Sequence, residues 1–106
     1  MWQFTPSATI SMPRYLIERT WDPIEEEERL AKGPLSKRIL GENQQFSPVN
    51  WEHSHVVMGD DGTVKSFCVY SSPNAELIRE HAKMLGDHTI TVIYEIGGDI
   101  SPDDFE

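Results

Sequence analysis

Two histidines separated by one residue are the clearest candidates for chemistry in this sequence. Residues 51–55 read Trp-Glu-His-Ser-His and are predicted to form part of a β-strand. Because successive side chains of a strand point to opposite faces, His53 and His55 are predicted to share one face, roughly 6 to 7 Å apart along the strand. This spacing suits a shared metal ion, a pair that faces a substrate, or a polar sheet face without a ligand.

The next predicted strand carries two further candidates. The Asp-Gly pair at 61–62 is typical of a two-residue hairpin turn, which would place His55 opposite Cys68. The same turn would place His53 opposite Tyr70. The two histidines, Cys68 and a carboxylate form a ligand set that suits nickel, copper or zinc. In the alternative interpretation, the histidines face solvent or an interface, and Cys68 is a small buried hydrophobic residue.

His81 is a third candidate and lies on a predicted helix. Apolar residues at helical spacing from position 75 onwards predict this helix, which ends at Gly86, and His81 falls at the edge of its buried stripe. One interpretation is a boundary histidine satisfied by a backbone carbonyl or a carboxylate. The other is an acid or base near neutral pH in a pocket between helix and sheet, with a hydrogen bond from Tyr70 and with His55 nearby.

Six elements are predicted to position these residues. A strand at 13–21 precedes a helix that starts at the Asp-Pro pair 22–23 and is broken or kinked at the Gly-Pro pair 33–34. The later elements are the histidine hairpin, the second helix with its cap at Ser72-Pro73, and a last strand at 89–96. The order β-α-β-β-α-β predicts a ferredoxin-like α+β fold, an antiparallel sheet with both helices on one face.

The domain is expected to span residues 13–98. Residues 1–12 are expected to be an N-terminal extension, disordered or preceding an alternative start at Met12, and residues 99–106 an acidic tail with little to bury. The other face of the sheet would be left open, and a second copy could cover it.

Composition narrows the classes of partner. The net charge of −9 opposes binding to nucleic acid or an anionic membrane, and no basic stripe offsets it. A single cysteine excludes an internal disulfide, and no apolar run is long enough for a membrane span, so a cytoplasmic protein is expected. The hydrophobic fraction of 38% is low for a single small core and favours a homodimer. Motifs typical of nucleophilic catalysis are absent from the sequence.

Four separated segments resemble a family of small bacterial nickel-binding, ferredoxin-like proteins. They are MPRYLIERTW at 12–21, WEHSHV at 51–56, FCVY at 67–70 and IREHA at 78–82. The resemblance covers about residues 12–101. It implies a dimeric protein, of the dimeric α/β barrel type, that binds nickel at its surface and sequesters or detoxifies it.

Two functional hypotheses follow. The first is a homodimer that binds nickel or another divalent transition metal, with His53 and His55 as core ligands and with Cys68 and His81 as additional candidates. The second is a cofactor-independent enzyme, or a module that binds a small molecule, built on the same kind of dimeric barrel. In that hypothesis His81, Tyr70 and His55 surround an apolar pocket, and His81 and Tyr70 would be catalytic. An interaction module whose open sheet face serves only for dimerisation is a third possibility.

Overall fold

The computed structural model describes residues 12–105, so the expected N-terminal extension lies outside the described residues except for Met12. Four strands and two helices follow the predicted order: β1 (Arg14–Trp21), α1 (Glu26–Glu42), β2 (Asn50–Met58), β3 (Val64–Ser71), α2 (Ala75–Leu85) and β4 (His88–Glu95). The strands form one antiparallel sheet in the order β2-β3-β1-β4. The ferredoxin-like α+β prediction is confirmed.

The first helix differs from its prediction at its start and in its middle. It begins at Glu26 rather than at Asp22-Pro23, and it continues through Pro34 as one helix. A proline inside a helix leaves one carbonyl group, that of the residue four positions earlier, without its donor. Pro34 and Leu30 are both exposed, so this carbonyl lies towards the solvent side of the helix, where water can satisfy it.

The second helix lies where its apolar stripe predicts. Its buried residues are Ile78, His81, Ala82 and Leu85, and Gly86 ends it with a φ of 74°. The N-terminal cap is Asn74 rather than Ser72, because the Asn74 side chain accepts a hydrogen bond of 3.0 Å from the Leu77 amide. The helix packs on the sheet with its apolar face.

The core lies between the sheet and the helices in two adjoining clusters. Alternate residues of β1 and β3 point towards the helices, as the period of a strand requires. The first cluster is formed by Tyr15, Ile17, Cys68, Tyr70 and Ile78. The second joins α1, the short 3₁₀ turn Gln44–Phe46 and α2, and is formed by Ile39, Phe46 and Leu85.

The turn between β2 and β3 is longer than predicted. The Gly59 amide donates to the Thr63 carbonyl at 2.8 Å, so three residues lie between this pair instead of two. Gly62 adopts a φ of 84°, which a glycine accommodates without strain. Asp61 accepts a hydrogen bond of 2.9 Å from the Thr63 amide, and this contact holds the pKa of the Asp61 carboxyl below its usual value.

The longer turn shifts the register of the hairpin by one residue. His55 pairs with Phe67 rather than with Cys68, and His53 pairs with Val69 rather than with Tyr70. The predicted pairing is therefore wrong. Because the side chains of a strand alternate, a shift of one residue places the histidines on the face opposite to Cys68 and Tyr70.

Candidate functional site

His53 and His55 project together from the face of the sheet that the helices do not cover. This surface, with Phe67 and Val69 between β2 and β1, is here called the open face. Both imidazoles are exposed, and their ring centroids lie 5.5 Å apart with the planes at 78°. Each ring can offer one nitrogen to a metal ion from this arrangement. Two protein ligands leave the other positions of such an ion for water or for a second copy of the chain.

Two carboxylates in the neighbourhood of this pair, those of Glu52 and Glu18, are engaged by cations. Glu52 accepts from the Arg14 guanidinium at 2.9 and 3.0 Å and from the Ser71 hydroxyl at 2.9 Å. The bond from Arg14 is the main reason that the pKa of the Glu52 carboxyl is lowered. Glu18 forms an ion pair of 3.2 Å with Lys65. Within residues 12–105, no three His, Cys, Asp or Glu side chains are grouped so that they could hold a metal ion.

The other two candidate ligands lie on the helix side of the sheet. Cys68 is 4% exposed and His81 is fully buried. The sheet therefore separates the four candidate ligands into two pairs on opposite faces. His53 and His55 are the pair that solvent, and thus a metal ion, can reach.

His81 lies in an aromatic environment beneath α1. Its Nε2 atom is 3.2 Å from the Ser36 hydroxyl, while Nδ1 has no partner among the described residues. The rings of Phe46 and Tyr70 have centroids 5.8 and 5.9 Å away. Burial, together with the charge of Arg19, lowers the pKa of His81 to about 4. The ring is therefore neutral near pH 7, which favours the structural interpretation, with a serine hydroxyl as the partner.

The three residues of the enzyme hypothesis do not surround one pocket. Tyr70 and His81 contact each other on the helix side, whereas His55 lies on the open face. The Tyr70 phenol is 2% exposed, and its burial raises its pKa above the usual value. Tyr70 lines a cavity described below, and His81 contacts this residue and Ser36 of the cavity wall.

Arg19 is a buried group that the sequence reasoning missed. Its side chain is 1% exposed, and its guanidinium lies 5.5 Å from the centroid of the Tyr70 ring. Nη1 is 2.7 Å from Nε2 of His88, but Nη2 has no hydrogen-bond partner among the described residues. The signal was the strand period, because Arg19 follows Tyr15 and Ile17 at alternate positions and so shares their buried face.

His88 orients this arginine. Its Nδ1 atom lies 2.8 Å from the Gly86 carbonyl, which can only accept, so Nδ1 carries the proton and Nε2 accepts from Arg19. Burial is the main cause that lowers the pKa of His88, and the charge of Arg19 adds to it. A neutral His88 therefore contacts Gly86, the residue that ends α2, and brings no charge to the C-terminus of that helix.

Comparison with models of known protein families identifies the family of this chain. The family model described as "Nickel responsive protein SCO4226-like" matches residues 15–96, which include both helices and nearly all of the four strands. The chain belongs to the SCO4226-like family. The resemblance noted from the sequence is thus confirmed at the level of the family, and the family name indicates a response to nickel. A search of curated proteins gave no significant match. Among the described residues, no helix of the SCO4226-like fold is long and apolar enough to cross a bilayer.

Proposed function

We propose that this protein binds nickel, or a related divalent transition metal, through His53 and His55 on the open face. In this proposal it buffers or sequesters the metal in the cytoplasm. The observation that carries the proposal is the exposed pair of imidazoles with centroids 5.5 Å apart, in a chain of a family described as nickel responsive. Imidazole nitrogen is a preferred ligand for nickel, and the exposure of both rings leaves access for the ion.

A second copy would complete such a site. Across the sheet, the row of paired residues that starts at His53 continues through Val69, Leu16 and Tyr94, and the row that starts at His55 continues through Phe67, Glu18 and Val92. A largely apolar face that carries two of the ligands of a metal ion favours a homodimer in which both copies face the ion. The proposed assembly is thus the dimer expected from the sequence.

Calorimetric titration of untagged, metal-free protein with nickel tests the proposal. We expect saturable binding that is tighter than roughly millimolar and that is lost in the His53→Ala, His55→Ala double variant. Absence of a histidine tag is essential because the tag would itself bind nickel.

The matched control is the Glu26→Gln, Glu27→Gln double variant. It removes two exposed carboxylates from the first turn of α1, far from the open face, and should leave the nickel affinity unchanged. Equal affinity of the histidine double variant and the natural chain would contradict the proposal, and so would equal losses in both double variants.

A further inference from the structure

A second potential site lies on the helix side of the sheet. A cavity of about 340 Å³ separates the first half of α1 from strands β2 and β3 and is here called the α1 cavity. Three aromatic rings line it, those of Trp21, Trp51 and Tyr70. Its volume is near the lower end of the range for cavities that hold small molecules.

The walls of the α1 cavity present apolar ring surfaces. The Trp21 indole donates its N–H to the Ser66 hydroxyl at 2.9 Å, and the Trp51 indole donates to Ser54 at 2.8 Å. Trp51 and Tyr70 stack with their planes at 9°. Since both indole donors already have partners, what Trp21 and Trp51 offer to the cavity is apolar surface, which suits a flat apolar molecule.

The charged side chains that line the cavity are all cationic, and not all of them have a counter-ion among the described residues. Arg19, Arg29 and Lys32 all line the cavity, and the lining contains no Asp or Glu, although the chain has a net charge of −9. Lys32 is engaged by the Asp87 carboxylate at 2.7 Å and by the Leu85 carbonyl at 2.7 Å. Among the described residues, no carboxylate forms an ion pair with Arg19 or Arg29, so these two arginines remain for an incoming anion.

Arg19 is the cavity residue whose burial most requires such an anion as a counter-ion. It is buried, and within residues 12–105 no carboxylate forms an ion pair with it and no group forms a hydrogen bond with its Nη2 atom. Residues 1–11, which precede the described range, contain no Asp or Glu, and Glu106 is the one acidic residue outside that range. A buried guanidinium without a counter-ion is costly, and a carboxylate is the group that its planar array of donors fits best.

We propose that the α1 cavity binds a small aromatic monocarboxylate. Its ring lies among Trp21, Trp51 and Tyr70, and its carboxylate accepts hydrogen bonds from the Arg19 guanidinium. Arg29 at the edge of the cavity attracts the anion. A doubly charged phosphate suits this site less well, because the largely apolar walls offer few donors to replace its water.

Calorimetry on the full, metal-free chain with phenylacetate tests this proposal. We expect saturable binding of phenylacetate, binding of the neutral phenylacetamide that is weaker by at least roughly tenfold, and no binding of inorganic phosphate. Equal affinities for the acid and the amide would overturn the proposal. Lack of saturable phenylacetate binding would also overturn it, and would indicate that another part of the protein or a second copy neutralises Arg19.

Two exposed positions on β2 give a matched pair of variants. Val56 lines the cavity, whereas Val57 points to the other face of the sheet. Val56→Glu places a negative charge at the cavity and should weaken phenylacetate binding by roughly tenfold or more, while Val57→Glu should not change it. Because both side chains are exposed, both variants are expected to fold. Equal effects of the two substitutions would overturn the assignment to this cavity.

Arg19→Met tests the guanidinium itself. An apolar side chain of similar volume should preserve the fold, which thermal unfolding checks, and should reduce phenylacetate affinity by at least roughly tenfold. A folded Arg19→Met variant with unchanged affinity would overturn the proposal. The His53→Ala, His55→Ala double variant should bind phenylacetate normally, so the outcome here is independent of the nickel proposal.

Discussion

At the scale of single residues, three nitrogen-rich side chains form one layer on the helix side of the sheet, in which Arg19 and His81 are buried and His88 is half-buried. Arg19 carries the charge of this layer, while His81 and His88 have lowered pKa values because burial and the nearby guanidinium both disfavour a second cation. Protonation of either ring would add an unpaired charge beneath α1. Protonation of these histidines at low pH should therefore destabilise the fold.

Acidification should destabilise the protein through His81. Its pKa falls from the ordinary 6.5 to about 4 on folding, so the unfolded chain binds this proton more readily than the folded chain. The stabilising contribution is complete above pH 6.5 and is lost as the pH falls towards 4. From the shift, the loss between pH 7 and pH 5 is about 2 kcal/mol.

Urea unfolding at the two pH values measures this contribution. Between pH 7 and pH 5, the free energy of unfolding of His81→Gln should decrease by about 2 kcal/mol less than that of the natural chain, because glutamine does not titrate. Comparison of the two chains cancels the effect of other groups, including the carboxylates that titrate at lower pH. An equal decrease in both chains would show that His81 does not carry the effect.

At the scale of elements, α1 contains two residues that helices usually avoid. Gly33 and Pro34 lie together in its interior, yet the helix continues. A second glycine of α1, Gly41, is followed by Glu42 rather than by a proline. A Cβ atom added at Gly41 would meet nothing within 4 Å, and the same is true at Gly86, where φ is +74°. These last two glycines therefore have equal room for a side chain and differ only in their backbone conformation.

Alanine should have opposite effects at these two positions. Gly41→Ala should raise the free energy of unfolding by roughly 0.5 kcal/mol, because alanine loses less conformational freedom in a helix. Gly86→Ala should lower it by about 1 kcal/mol or more, because a side chain disfavours positive φ. Chemical denaturation of the two variants under the same conditions measures both changes. A gain in stability for Gly86→Ala would contradict the left-handed end of α2.

The elements also show what sequence patterns can and cannot specify. The second helix follows from a continuous apolar stripe and a terminal glycine, so both its existence and its end were predictable. The hairpin register was not, because the Asp-Gly pair at 61–62 is compatible with turns of two or three residues. The same-face placement of His53 and His55 survives this error, since it depends only on their spacing along one strand. Arg19 escaped notice because a charged residue in a strand is usually assigned to the solvent face.

At the scale of the whole molecule, the two faces of the sheet differ in what covers them. The helices bury one face, whereas the open face carries Tyr94 with 56% of its surface exposed. Under the proposal of a homodimer, this face is the contact between copies. The acidic net charge of −9 opposes non-specific association, so a dimer would require specific apolar contact.

Sedimentation of the natural chain at micromolar concentration should reveal a dimer. Tyr94→Glu places a charge on the open face and should raise the dissociation constant of the dimer by at least roughly tenfold. Leu30→Glu is the control, because Leu30 is 67% exposed on α1, on the other side of the sheet. A natural chain that sediments as a monomer, or equal dissociation by both variants, would contradict dimerisation through the open face.

Alternate side chains of β2 point to opposite faces of the sheet, and this determines which substitutions and deletions the strand can accept. One set of its positions, His53 and His55, serves the proposed metal site, and the intervening set, Ser54 and Val56, lines the α1 cavity. Substitutions can therefore alter either surface while leaving the other intact. A deletion of one residue between His53 and Val56 cannot, because it would exchange the faces of every side chain on one side of the deletion. Glu52 is the exception on β2, since the register shift there leaves it without a pairing partner on β3. The length of the segment from His53 to Val56 should thus tolerate far less variation than its composition.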